Sequence, residues 1–165
     1  MSGDAGAVKA RAVFQVGYVV PDLEAARDYL ETTFGIGPWL TIDKPAIDER
    51  RYRGTLTPQA YEAVAFAFVG DLQIELMQPV VGPSAFEEFL NGNPNGGFHR
   101  LAMLVDDYDS AVKAMGGQER VKQSGRVNDF RFAFFEAPPL GGMVEIVQLD
   151  DDARQMLANF RNANQ

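Results

Sequence analysis

Apolar and polar positions at the start of the chain predict a strand followed by an amphipathic helix. Residues 12–20, AVFQVGYVV, are rich in β-branched and aromatic residues, which is typical of a β-strand. In the next segment, four apolar residues fall on one helical face: Leu23, Ala26, Leu30 and Phe34. Asp22 can cap the start of this helix and Gly35 can end it, so we expect a helix between them.

Further short elements are expected up to residue 92. Strands are predicted near 38–42, over 60–70 and over 71–80, and a short helix opened by Pro83 is predicted over 83–92. The polar stretch DERRYRGT lies between the first two of these strands and forms a local basic patch of three arginines: Arg50, Arg51 and Arg53. This patch is either a solvated strand edge that resists aggregation or an anchor for an anionic ligand such as a carboxylate or phosphate.

The segment at 91–97, NGNPNGG, is the strongest break in the pattern and separates two halves. The pattern of the second half predicts the same element order as that of the first half, which is one strand, one helix and three strands. A terminal helix is then predicted over 151–162. The five repeated elements fall at 98–105, 106–117, 119–125, 126–138 and 141–149. Because neither half alone could easily bury its apolar face, we expect one structural domain. It would have a flexible tail at 1–11, a first module with a short connecting helix at 12–92, and a second module with a C-terminal helix at 93–165.

The two halves also match residue by residue. Residues 17–26 (GYVVPDLEAA) align with 102–111 (AMLVDDYDSA) at an offset of 85, and residues 74–78 (IELMQ) align with 144–148 (VEIVQ) at an offset of 70. Two matches in the same order indicate an internal repeat rather than a chance similarity of two strand–helix units. The sequence therefore predicts two βαβββ modules related by a pseudo-twofold axis.

Polar residues at equivalent positions of the repeat mark a candidate site. Glu75 and Glu145 each interrupt an apolar strand, and the offset of 70 pairs them; the offset of 85 pairs Gln15 with Arg100. A single residue of this kind is typical of the solvent face of an amphipathic strand. Two such pairs at equivalent positions instead predict that the four side chains converge inside a sheet-lined cleft.

Composition narrows the classes of function. The chain has 165 residues, 46% of them hydrophobic, which is enough for the core of one domain. A formal net charge of −8 disfavours nucleic acid and anionic membranes as partners. No apolar run approaches the roughly 20 residues of a membrane span, and the first residues lack the apolar stretch of a signal peptide. The absence of cysteine excludes disulfides and thiol nucleophiles and fits a cytoplasmic protein.

Four segments carry a family resemblance: VGYVVPDLEAARDYLETTFGIGPW, GDLQIELMQP, HRLAMLVDDYDSAV and GMVEIVQ. Together with the repeat, they resemble the vicinal oxygen chelate superfamily, especially its methylmalonyl-CoA epimerase and glyoxalase-like members. The resemblance implies an α+β fold in which two βαβββ modules form a cupped mixed sheet with an internal cleft, and it implies a homodimer. The first and last strands of each module supply the metal ligands in that family, and the matching positions here are Gln15, Glu75, Arg100 and Glu145.

The third of these positions departs from the family pattern. In FHRLAMLVDD, Arg100 matches the metal-ligating histidine, whereas the only histidine of the chain, His99, matches the non-ligating position before it. A guanidinium stays protonated and offers no lone pair to a metal. Because neighbouring side chains on a strand point to opposite faces, we expect His99 to point away from the cleft and to pack against the helices.

Our working hypothesis is a metal-independent lyase, isomerase or epimerase for a small carbonyl or acyl compound, with no cofactor. Arg100 would stabilise a developing enolate, and Glu75 or Glu145 would move a proton next to the carbonyl.

Two alternatives stay open. In a metal enzyme, a β-bulge around Gly96 and Gly97 would turn His99 inward, and His99 would bind a divalent Zn, Ni, Co or Mn ion with Gln15 and the two glutamates.

In a binding protein without chemistry, the cleft would hold an aromatic or lipophilic compound. Its lining would include residues whose other role is ordinary core packing: Trp39, Phe130, Phe132 and Phe134.

Overall fold

The computed structural model of the protein describes residues 7–163 and 165, and within them ten strands and four α-helices form an α+β fold. The strands are β1 (Ala12–Val19), β2 (Leu40–Ile42), β3 (Asp48–Tyr52), β4 (Thr55–Leu56), β5 (Tyr61–Val69), β6 (Leu72–Val81), β7 (Gly97–Leu104), β8 (Val121–Val127), β9 (Phe130–Ala137) and β10 (Gly142–Gln148). The helices are α1 (Leu23–Phe34), α2 (Ala85–Gly92), α3 (Tyr108–Ala114) and α4 (Asp151–Ala163).

The ten strands belong to one mixed sheet with the order β2-β5-β6-β1-β7-β10-β9-β8-β3-β4. β1 and β7 pair antiparallel at its centre, and each runs parallel to the last strand of its own module, β6 or β10. The sheet curls into a cup, which confirms the predicted α+β fold of two βαβββ modules.

The strand register follows the internal repeat. Gln15 lies opposite Ala102 and Gly17 lies opposite Arg100, so the pairing of β1 with β7 maps onto itself under the offset of 85. The two parallel pairings are also equivalent. Gln15 lies opposite Gln73 and Arg100 lies opposite Met143, so the offset of 85 relates β1 to β7 and the offset of 70 relates β6 to β10. A pseudo-twofold axis therefore passes between β1 and β7.

Two local predictions differ from the structure. Ser84 is the N-cap of α2, where its hydroxyl accepts a hydrogen bond from the Glu87 amide at 3.1 Å, so Pro83 precedes the cap instead of opening the helix. The segment predicted as one strand over 126–138 is interrupted by a turn at Asn128, whose φ is 54°, and it is divided between β8 and β9. Asn is among the residues that tolerate this backbone region best.

Helices cover both faces of the sheet. α1 packs on the outer face against β5 and β6, and α3 packs there against β9 and β10. α2 and α4 cover the inner face with apolar side chains, including Phe86 from α2 and Leu157 from α4. The buried residues of the inner cluster are Val19, Val64, Met77, Ala85, Phe86, Ala102, Phe132, Phe134, Met143, Val147 and Leu149. Apolar packing therefore fills much of the cup.

The hairpin of β3 and β4 crosses from the first half of the sequence to the second half of the sheet, where it pairs with β8. Arg50 on β3 reaches across to Glu62 on β5, near the opposite edge of the sheet, through two hydrogen bonds of 2.7 and 2.9 Å. Both side chains are buried. This ion pair links the two ends of the curved sheet. Arg50 is therefore neither a solvated edge residue nor an anion anchor, whereas Arg51 and Arg53 are exposed.

The predicted N-terminal tail falls only partly within the described residues, because residues 1–6 lie outside them. At its end, the Arg11 amide donates to the Leu104 carbonyl at 2.8 Å, and the Arg11 guanidinium pairs with Asp106. None of the helices in the described ranges has the length and apolarity needed to cross a membrane.

Breaking the pair between Arg50 and Glu62 should destabilise the fold. Glu62→Leu leaves a buried guanidinium without a counter-charge, so the free energy of unfolding should fall by about 3–5 kcal/mol in denaturant titrations. The double variant Arg50→Met with Glu62→Leu should lose less than the single variant. Asp71→Asn, in the exposed pair with Arg161, is the control and should change stability by less than about 1 kcal/mol. Equal losses in Glu62→Leu and Asp71→Asn would contradict the linking role.

Candidate active site

Four polar side chains meet at the centre of the inner face, with Arg100 in the middle. Its Nε donates to Glu145 Oε2 at 2.6 Å, and its Nη2 donates to Gln15 Oε1 at 3.1 Å and to the Glu75 carboxylate. The structure thus brings together all four residues that the repeat predicted to converge.

The strand order explains this convergence. β6, β1, β7 and β10 are consecutive neighbours in the sheet, and each contributes one of the four side chains. Gly17 lies opposite Arg100, and a Cβ atom at this position would lie 2.3 Å from Arg100 Nη1. The guanidinium therefore lies against β1 at a position where only glycine leaves room for it.

Apolar groups enclose the cluster, and the exposed fraction of Arg100 is 2%. The guanidinium carbon lies 4.8 Å from the centroid of the Phe134 ring and 5.9 Å from that of Phe86, which are cation–π contacts. Nη1 contacts the Met77 thioether sulfur at 2.8 Å. A sulfur atom is a weak acceptor, so Nη1 is the part of the guanidinium that is least engaged.

Burial raises the pKa of both carboxyl groups. The pKa of Glu75 is raised to about 7, mainly because burial removes the hydration of its carboxylate. The positive charge of Arg100 opposes this rise, and the negative charge of Glu145 adds to it. Burial likewise raises the pKa of Glu145 against the opposing effect of Arg100. One guanidinium cannot neutralise two carboxylates, so the cluster retains a proton near neutral pH. Because folded Glu75 holds its proton more tightly than unfolded Glu75, its contribution to stability falls as pH rises from about 4.5 to about 7.

His99 packs against helix α2, as expected, but the prediction that it points away from the cleft is wrong. Phe98 lies opposite Tyr18 and Arg100 lies opposite Gly17, which leaves His99 as the extra residue of a β-bulge in β7. The bulge places His99 and Arg100 on the same inner side. The imidazole lies 5.3 to 5.9 Å, between ring centroids, from three phenylalanines: Phe86, Phe89 and Phe134.

Sequence reasoning missed three residues that contact the predicted cluster: Phe86, whose ring contacts Arg100, together with Gln73 and Met77. Gln73 Oε1 accepts a hydrogen bond from Gln15 Nε2 at 2.6 Å, and Met77 contacts Arg100. Gln73, Glu75 and Met77 alternate along β6 and therefore face the same side of the sheet. This alternation is visible in LQIELMQ and could have identified Gln73, whereas the apolar Met77 carries no comparable signal.

Comparisons with known proteins agree with this arrangement of elements. The mitochondrial methylmalonyl-CoA epimerase of Dictyostelium discoideum is 30% identical over 102 residues, covering 61% of this chain and 52% of that protein. The epimerase of Bos taurus is 29% identical over 97 residues, covering 59% and 48%. The chain thus spans about half the length of these relatives. The crystal structure of the Mycobacterium tuberculosis epimerase matches with a TM-score of 0.59 at 19% identity, covering 91% of this chain and 95% of that one.

The profile of one family, the Glyoxalase/Bleomycin resistance protein/Dioxygenase superfamily, matches residues 14–134. The chain belongs to this superfamily. The vicinal oxygen chelate resemblance of the sequence is therefore confirmed.

The residues of this superfamily member do not fit a divalent metal ion at the expected position. The Arg100 guanidinium lies at the centre of the would-be ligands Gln15, Glu75 and Glu145, and it has no lone pair to donate. His99 does not complete the set, because its ring lies among phenylalanines. Among the residues that the structure describes, no group of three or more His, Cys, Asp or Glu side chains could hold a metal.

The aromatic lining expected for a binding protein is present only in part. Phe132 and Phe134 belong to the inner cluster, and Phe130 packs against it. Trp39 packs instead in the separate cluster of Leu23 beneath α1, on the outer face. A ligand in the cup would therefore meet the phenylalanines but not Trp39.

Removing the central cation should destabilise the protein, and the loss should depend on pH. Arg100→Met leaves two buried carboxylates unpaired, so at pH 8 the free energy of unfolding should fall by about 3–5 kcal/mol. At pH 5 the loss should be smaller, because protonated carboxyl groups no longer need a counter-charge. Urea titrations at both pH values measure this difference. Arg27→Met, which removes a partly exposed cation, is the control and should cost less than about 1 kcal/mol at either pH. A loss in Arg100→Met that is the same at pH 5 and pH 8 would refute the electrostatic account.

Proposed function

We propose that this protein is an isomerase of the epimerase type, which moves a proton at the carbon next to the carbonyl of an acyl thioester. In this proposal Arg100 takes the place of the metal ion of the superfamily. One observation carries it: two carboxylates reach the same guanidinium from different strands, Glu75 from β6 and Glu145 from β10. Two opposed proton carriers are what the inversion of a carbon centre requires.

The relatives supply the substrate class of the proposal. Both curated relatives described above are methylmalonyl-CoA epimerases, and a structural neighbour from Streptomyces coelicolor is an epimerase in complex with 2-nitronate-propionyl-CoA. We therefore propose a coenzyme A thioester with an acidic α-hydrogen as the substrate, with methylmalonyl-CoA as the first candidate. The chain shares its fold with the epimerase structures but differs from the superfamily pattern at Arg100.

The two glutamates would exchange one proton with the substrate. The ionised carboxylate removes the α-proton as the C–H bond breaks, and the electron pair moves onto the thioester oxygen to give an enolate. The protonated carboxyl group then delivers its proton to the opposite face of the same carbon. Because burial raises the pKa of both groups, with that of Glu75 at about 7, one acid and one base coexist near neutral pH.

Arg100 would stabilise the enolate. Its Nε and Nη2 are engaged by the carboxylates and Gln15, whereas Nη1 faces only the weakly accepting sulfur of Met77. Nη1 is therefore the N–H group that would donate to the oxyanion, in exchange for its contact with the Met77 sulfur. A fixed cation in an enclosed site stabilises developing negative charge without reorganisation of solvent.

One observation favours a second candidate function, the binding of a small molecule without chemistry. The polar groups of the cluster satisfy one another, and the exposed fractions of Glu75 and Glu145 are 8% and 5%. A protein that only binds a small molecule could use such a cluster as a structural centre. Turnover distinguishes this candidate from the epimerase.

The test is epimerisation by protein treated with a chelator. Wild-type protein in D₂O and EDTA should interconvert the epimers of methylmalonyl-CoA and incorporate one deuterium at the α-carbon, as measured by chiral chromatography and mass spectrometry. Glu75→Gln and Glu145→Gln should each reduce interconversion about 100-fold or more. Each variant should still exchange the hydrogen of one epimer, because one proton carrier remains.

Glu31→Gln, on the exposed side of α1, is the matched control and should retain the wild-type rate. Exchange no faster than in buffer would contradict the proposal, and recovery of a tightly bound but unaltered ligand would support the binding protein instead. Activity that appears only after a divalent metal is added would contradict the role of Arg100.

A further inference from the structure

A cavity lies near the cluster, with His99 in its lining. It has a volume of about 420 Å³ and lies between α2, the first residues of β7 and β10, and the segment before β10. We call it the His99 pocket, and its lining includes Ala85, Phe89, His99, Lys122, Glu136 and Met143. The proposed mechanism uses none of these side chains.

His99 is the unusual member of this lining. Its exposed fraction is 1%, and neither ring nitrogen has a hydrogen-bond partner among the described residues. Buried polar atoms in proteins almost always have a partner. Burial, together with the nearby charges of Arg100 and Lys122, lowers the pKa of His99 well below its usual range, so the ring is neutral. A neutral imidazole offers one N–H donor and one acceptor nitrogen.

The pocket adjoins the catalytic cluster. Met143, in its lining, is the direct neighbour of Arg100 in the pairing of β10 with β7, and His99 precedes Arg100 in the chain. Neighbouring strands lie roughly 4.8 Å apart, so the backbone of the pocket lining at Met143 is about one strand spacing from the backbone of Arg100. The Phe134 ring contacts both Arg100 and His99 and forms the boundary between the two sites.

Charged side chains form the rim of the pocket, and they form ion pairs with one another. Lys122 Nζ pairs with Glu88 at 2.7 Å and with Glu136 at 2.8 Å, and Arg53 also pairs with Glu88. The remaining lining combines the apolar side chains of Ala85, Phe89, Pro138 and Met143 with the imidazole of His99 and the uncharged amide of Asn93. These features select an uncharged, mostly aliphatic segment that carries amide or hydroxyl groups, and they disfavour a segment that carries charge.

We propose that the His99 pocket binds the uncharged amide-bearing arm of an acyl thioester whose reacting end lies at Arg100. This inference rests on the proposed function and extends it to the recognition of the substrate. The pantetheine arm of coenzyme A has aliphatic segments and two secondary amides, and each amide has one N–H and one C=O. Such an amide can pair with one ring nitrogen at a time, either through its C=O with the imidazole N–H or through its N–H with the acceptor nitrogen.

Binding can be measured on wild-type protein without any activity. Because His99 is the only histidine, protein labelled with ¹⁵N-histidine gives the ring signals of this residue alone. Titration with pantetheine should shift at least one ring nitrogen, and aromatic–aliphatic NOEs should link the ligand to the imidazole. The chain has no cysteine, so the thiol of the probe cannot form a mixed disulfide. Ring signals that stay unchanged at millimolar pantetheine would overturn the proposal.

A specificity ratio provides the second readout. The ratio compares kcat/KM for methylmalonyl-CoA with kcat/KM for the methylmalonyl thioester of N-acetylcysteamine, which lacks most of the arm. His99→Phe should lower this ratio about five- to tenfold, as expected for the loss of a buried hydrogen bond. Phe is the residue at the equivalent bulge position of β1, Phe14, so the substitution suits the local backbone. Phe14→Leu is the matched control and should leave the ratio unchanged.

The outcomes separate the two proposals. Epimerisation with an unchanged ratio in His99→Phe would refute the pocket assignment and leave the proposed function intact. A shift of the His99 signals on addition of pantetheine, in a protein that does not epimerise either thioester, would support the pocket and refute the proposed function. If His99→Phe does not fold, the titration of the wild-type ring decides the question alone.

Discussion

The hydrogen-bonded ion cluster around the Arg100 guanidinium is the interaction on which the rest of the structure depends. A cation removed from water is tolerated only when its charge is compensated and its N–H groups are satisfied. Glu75, Glu145 and Gln15 do this from three different strands. A register shift of one residue would turn the contributing side chain to the outer face. The cluster and the register of the central strands therefore require each other, and Gly17 is the position that allows the guanidinium to lie against the sheet.

The pseudo-twofold axis relates equivalent backbone positions around the site, but the side chains at these positions are not symmetric. The carboxylates are retained at both equivalent positions, Glu75 and Glu145, as proton transfer to and from two faces of one carbon would require. The neighbouring pairs differ, because Gln15 corresponds to Arg100 and Phe14 to His99. The second module thus supplies the cation and the buried imidazole. The helices add a further asymmetry, since α2 inserts Phe86 beside Arg100 and Phe89 beside His99.

Most of the element order, the repeat and the convergence of the four polar residues could be predicted, because periodicity and equivalent positions are properties of the sequence. The β3–β4 hairpin is not among the predicted elements. The inward position of His99 is reached only as an alternative that requires a β-bulge. The bulge that places it there is a feature of hydrogen-bond register between β1 and β7, and strict alternation assigns the opposite face. The ion pair of Arg50 with Glu62 depends on the curvature that brings the two ends of the sheet together. The position of Trp39 could not be predicted either, because Trp39 immediately precedes the short strand β2, and the pairing of β2 with β5 is not evident from the local pattern.

The most direct test of the proposal that the Arg100 guanidinium replaces a metal ion is metal binding by the variant Arg100→His. This variant restores an imidazole beside Gln15, Glu75 and Glu145 and removes the fixed cation. Titration with Co²⁺, followed by visible absorption and calorimetry, should show one ion per chain for Arg100→His and none for the wild type. The double variant Arg100→His with Glu145→Gln should lose most of this binding. Stoichiometric binding by the wild type, or full binding by the double variant, would contradict the proposal that Arg100 occupies the position of the metal.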